Sequence, residues 1–113
     1  MLYFIIWLFA LAAVLGLVIA TAIFTKKPST PKGAVYAHGI AAAAALVLLI
    51  VYAFNNPENY PKISIILFVV AALGGLVLFI NDMKKKPGPS GLVIVHALAA
   101  VIAFVLLLTF ALF

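Results

Sequence analysis

The chain has 113 residues, 69% of them hydrophobic and 8% charged, with a formal net charge of +5 and no cysteine. A water-soluble domain of this length cannot keep so much apolar surface from solvent, so the composition excludes one and points to a lipid bilayer. The missing cysteines exclude disulfides, thiolate metal sites and covalent c-type haem attachment.

Four apolar runs follow one another: Leu2–Phe24, Gly33–Phe54, Ile63–Ile80 and Gly91–Leu112. Each is near the ~20 residues that an α-helix needs to cross a ~30 Å hydrocarbon core. The first run lacks the short apolar core and small-residue cleavage pattern of a secretory signal, so it reads as a retained helix. Short connections make neighbouring helices antiparallel. The expected fold is an all-α membrane protein, a four-transmembrane-helix bundle forming one domain over residues 1–113.

The lysines punctuate these spans, so the positive charge does not indicate a nucleic-acid partner. Lys26, Lys27, Lys32, Lys84, Lys85 and Lys86 lie in the first and third connections, whereas the second, "NNPENYPK", offers Lys62 against Glu58. The positive-inside rule then predicts cytoplasmic first and third connections and both termini outside, in a bacterial-type inner (plasma) membrane.

A shift of 58 residues aligns the two halves without a gap, matching Ile5 with Ile63, Gly16 with Gly74, Lys26 with Lys84, Gly33 with Gly91, His38 with His96, Ala45 with Ala103 and Leu49 with Leu107. The chain thus reads as two tandem two-helix repeats, residues 1–58 and 59–113. Each repeat holds an even number of spans, so the copies are expected to be related by an axis along the membrane normal. That relation sets His38 and His96, the chain's two histidines, at one depth in the cytoplasmic half of the bilayer.

Helical periodicity puts Ala41, Ala42 and Ala45 on the face of His38, and Ala99, Ala100 and Ala103 on the face of His96. Such columns suit close helix packing, or a slot for a flat group held between helices. Ionisable residues within spans mark function by default, and neutral imidazole is a common metal ligand; a polar clasp and a proton site are the alternatives. Two nitrogens without Cys, Asp or Glu nearby make a poor zinc site. They satisfy haem iron, whose porphyrin supplies the other four ligands. Lysines at that end, Lys32 and Lys85 among them, are expected to meet the propionates. Gly16 and Gly74 would admit a porphyrin edge or let the first and third helices cross closely.

On His38, His96 and their small neighbours, the chain resembles the membrane b-type cytochromes, four-helix bundles whose haem hangs between histidines on different helices. The resemblance implies haem b and electron transfer with quinol, another small reductant, dioxygen or superoxide, and hence an oxidoreductase if the chain is an enzyme. Members that carry electrons across the bilayer hold two histidine pairs; this chain has one. Its size and four spans also resemble small multidrug transporters, but the first span lacks the acidic residue that those require. A haem carrier or sensor, and a metal-free scaffold or small transporter, remain as alternatives. Nothing suggests a hydrolase or transferase, and Glu58 and Asp82 read as lone connection residues. A homodimer is expected, with the two histidines coming from one protomer or from both.

Overall fold

The computed structural model describes residues 1–27, 29–84 and 90–113, with only the backbone described at Ser90. Among these residues the chain is all-helical: α1 (Leu2–Phe24), α2 (Lys32–Asn55), α3 (Lys62–Met83) and α4 (Ser90–Leu112). All four are long and apolar enough to cross a membrane, with mean hydropathies of 2.3 to 3.0.

Local chemistry sets the ends. Pro31 (φ −71°) and Pro61 (φ −79°) immediately precede α2 and α3. Proline has no N–H to lose at a helix start, and its ring presets a suitable φ. At the end of α1, Lys27 N–H donates to the Ala22 carbonyl and Lys26 N–H to that of Ile23, both at 3.1 Å. This is a Schellman closure, with Lys26 in the left-handed region (φ 57°) where glycine is usual. α3 runs three residues past its apolar stretch, through Asn81, Asp82 and Met83. Apolarity marks only the part of a helix that meets hydrocarbon, so its polar last turn reads as connection in the sequence.

The main contacts run along α1 with α2 and along α3 with α4, while the α2–α3 and α1–α4 sides touch more lightly. The bundle is therefore two helical hairpins laid side by side, with α1 diagonal to α3 and α2 diagonal to α4. Ile5, Phe9, Ala45, Leu49, Phe68, Ala103 and Leu107 form the buried centre. There the Phe9 and Phe68 rings stack across the α1–α3 diagonal, 3.9 Å between centroids and 5° from parallel. The buried Ser64 hydroxyl donates to the Ala103 carbonyl at 2.7 Å, tying α3 to α4. Trp7, Leu17, Ile40, Phe54 and Leu73 face outward, as an apolar surface solvated by lipid tails requires.

A candidate imidazole pair at the bundle centre

His38 on α2 and His96 on α4 face one another across the second diagonal, with ring centroids 6.2 Å apart and planes at 78°. Both rings are half-buried, and both come from one chain.

Each ring is anchored on the other helix of its own hairpin. His38 Nδ1 lies 2.7 Å from the Ala12 carbonyl oxygen on α1, and His96 Nδ1 lies 2.7 Å from the Ala71 carbonyl oxygen on α3. A carbonyl oxygen only accepts. Each Nδ1 must therefore carry a hydrogen and donate it, which leaves Nε2 as the ring's lone-pair nitrogen when the ring is neutral. Among the described residues no protein group bonds to either Nε2. A ligating histidine typically has this arrangement, with one nitrogen donating to a backbone carbonyl and the other free for a metal.

Glycines make room for the rings. A Cβ built on Gly16 would stand 3.0 Å from His38 Cε1, and one on Gly75 would stand 2.9 Å from His96 Cε1. On α3, therefore, the close approach is at Gly75 and not at Gly74, where an added Cβ would meet nothing nearer than 3.7 Å. Gly16 accommodates the His38 ring. The sequence does carry a signal for Gly75. Slid by 59 residues, α1 matches α3 at Ile6/Ile65, Leu8/Leu67, Phe9/Phe68, Ala12/Ala71, Ala13/Ala72, Gly16/Gly75, Leu17/Leu76 and Val18/Val77. The ungapped shift of 58 conceals this run.

The alanine columns divide between two environments. Ala45 and Ala103 are fully buried in one cluster with the stacked phenyl rings, so they serve close packing beneath the histidines. Ala41 is buried as well, while Ala42, Ala99 and Ala100 are half-buried. On the neighbouring helices Ala12 and Ala71 supply the carbonyls that hold the rings, and Gly16 and Gly75 stand against the ring carbons. The stacked Phe9 and Phe68 rings lie further along the bundle, three residues before Ala12 and Ala71.

Of the lysines expected to meet an anionic group, Lys85 lies outside the described residues, as does Lys86. Lys32 is paired: its Nζ lies 2.7 Å from Asp82 Oδ2. It also donates to the Thr30 hydroxyl at 2.9 Å, and that hydroxyl donates to the Asp82 carboxylate at 2.8 Å. Asp82 is therefore not a lone connection residue. It sits on the last turn of α3, where the helix dipole disfavours an anion, and Lys32 opens α2, where the dipole disfavours a cation; each offsets the other's misplacement. Beside them Tyr36 Oη donates to Met83 Sδ at 3.6 Å, and the Tyr36 and Phe79 rings meet edge-on at 6.1 Å. The cluster joins the two hairpins, with Lys32 about 9 Å along α2 from His38.

Comparison with known protein families, with curated proteins and with solved structures finds no match to this chain.

Proposed function

We propose that the chain is a membrane b-type cytochrome, in which His38 and His96 are the two axial ligands of one haem b and the protein transfers electrons. The observation that carries this reading is the imidazole pair: two rings on diagonal helices, each held by Nδ1 and each with Nε2 unbonded. Two imidazoles that would share one metal, each at a metal–nitrogen distance of about 2 Å, must have ring centres within roughly 6–7 Å of one another. The separation here is 6.2 Å. The donor set suits the group, since two ligands complete haem iron, and glycines stand against both rings.

When bound, the haem would supply a reversible one-electron couple. The chain's own part would be to hold the two imidazoles through their Nδ1 hydrogens, leaving both Nε2 atoms for the haem, with a quinol or another small molecule as redox partner. Lysine placement supports an orientation with both termini outside and the Lys32–Asp82 end cytoplasmic. The paired sets of helix matches support an origin by tandem duplication, with the two hairpins related about the membrane normal.

Haemin titration of the detergent-purified protein tests this reading. The expected result is one haem per bundle, with a Soret band and a reducible α-band. His38→Ala and His96→Ala should each abolish the six-coordinate spectrum, with partial rescue by added imidazole. A protein that stays colourless in haemin would refute it. The Nδ1–carbonyl bonds favour a second reading, in which the histidines only clasp each hairpin. There, both substitutions would lower stability and no cofactor signal would appear in any variant.

A further inference from the structure

We infer that Gly16 and Gly75 are positioning residues, which set the tautomer and direction of the imidazoles by leaving the carbonyls of Ala12 and Ala71 uncovered. The inference deepens the proposed haem site and rests on that reading for its redox consequence alone; the tautomer itself follows from the protein's geometry.

In an α-helix every Cα–Cβ bond tilts toward the N-terminus, so the side chain of residue i+4 leans over the carbonyl of residue i. Gly16 stands four residues after Ala12, and Gly75 four after Ala71. These are the two carbonyls that the histidines reach, each at 2.7 Å. A side chain at either glycine would cover the carbonyl's outward lone pair and occupy the ring's own place. The built Cβ at position 16 stands 3.3 Å from His38 Nδ1, and that at position 75 stands 3.4 Å from His96 Nδ1, in addition to the closer Cε1 contacts. These atoms belong to rings held by hydrogen bonds, not to the loose ends of flexible chains, so relief requires the ring to swing away from its carbonyl. Once released, a neutral imidazole has no reason to keep its hydrogen on Nδ1. The free nitrogen then ceases to be Nε2 alone, and its direction is no longer fixed.

Gly74 supplies an internal control. It adjoins Gly75, yet a Cβ there meets ordinary van der Waals contacts, His96 Cβ and Leu92 Cδ1 at 3.7 Å and His96 Nδ1 at 3.9 Å. Helix propensity and membrane burial are nearly the same at the two positions, so a difference between their alanine variants reports the ring and its carbonyl.

The experiment is ¹⁵N-detected NMR of histidine-labelled protein in detergent micelles, above the imidazole titration range, for the wild type, Gly16→Ala, Gly75→Ala and Gly74→Ala. Wild type should show both rings as pure Nδ1–H tautomers. Gly75→Ala should shift His96 to a mixture while His38 stays unchanged, and Gly16→Ala should do the reverse; the undisturbed ring in each variant shows that the bundle is folded. Gly74→Ala should match wild type. With haemin, loss of a carbonyl partner to a ligating histidine should weaken binding about 10–100-fold in Gly16→Ala and Gly75→Ala. Pure Nδ1–H signals for His96 in Gly75→Ala, or an equal disturbance in Gly74→Ala, would overturn the inference. Failure of wild type to bind haemin would instead refute the cytochrome reading and leave the tautomer result standing.

Discussion

Exchanging the two charges that join the hairpins should make the protein more stable, although it alters a well-formed ion pair. Lys32 and Asp82 lie 2.7 Å apart, with side chains 43% and 24% exposed. At that exposure the pair itself contributes only about 0.2–1 kcal/mol. Each charge also sits at the wrong end of its helix, against a dipole interaction of about 0.3–1 kcal/mol. Lys32→Asp combined with Asp82→Lys keeps the pair and the net charge while reversing both dipole terms. Each reversal counts twice, from penalty to gain, so after discounting for solvent exposure the double variant should gain about 1–2 kcal/mol. The Thr30 hydroxyl can accept as well as donate, so it keeps a partner. Each single substitution reverses one dipole term but replaces the pair with like charges, so the two effects roughly offset and each single variant should lie within about 1 kcal/mol of wild type. Because the chain has no cysteine, dyes on Asn56→Cys and Phe113→Cys would report hairpin separation by energy transfer during denaturant titration in mixed micelles. A double variant no more stable than the better single variant would show that the dipole argument fails here.

Three further substitutions test the packing. Phe68→Ala removes one ring of the central stack and should cost about 2 kcal/mol by the same titration; both native and separated helices rest in lipid, so the cavity term dominates over transfer from water. Lys26→Gly should stabilise by roughly 0.5–1 kcal/mol, because the left-handed φ of 57° that closes α1 carries a penalty for any residue with a Cβ. Ser64→Ala should cost only about 0.6 kcal/mol despite complete burial, the typical value of an interhelical hydrogen bond in a membrane protein.

Most of the fold was legible because hydrocarbon imposes a coarse rule: about 20 apolar residues per crossing. The α1 boundaries coincide with the apolar run, and α2 and α4 differ from theirs by one residue at a terminus or two. Only the polar last turn of α3 was hidden, since nothing in its composition distinguishes a helix that has left the hydrocarbon from a connection. At the site, the two histidines stood out as ionisable groups in apolar surroundings, and their facing placement on two helices was readable from the matched spans. Their partners were not. The groups that hold the rings are backbone carbonyls, which every residue has, so no side-chain pattern could single out Ala12 or Ala71. The pairing of Lys32 with Asp82 was equally opaque, because it joins positions 50 residues apart whose helix ends meet only in the folded bundle.

The one-residue difference between the two helix matches has a physical origin in the connections. Contacts equate α2 with α4 at a spacing of 58 residues, through His38/His96, Ala45/Ala103 and Leu49/Leu107, and α1 with α3 at 59, through Phe9/Phe68, Ala12/Ala71 and Gly16/Gly75. The connection between α1 and α2 spans residues 25–31, and that between α3 and α4 spans 84–89, one residue fewer. A residue gained or lost in a connection leaves both helices intact. The same change inside α1 or α3 would turn all that follows by about 100° and carry the glycine away from the ring that it must admit. The additional residue of the first connection therefore lies where it does not disturb the relation between histidine, carbonyl and glycine in either hairpin. Moving that residue makes the point testable: deleting Ser29 should leave the Nδ1–H signals of His38 intact, whereas deleting Val14, between Ala12 and Gly16, should abolish them while those of His96 persist.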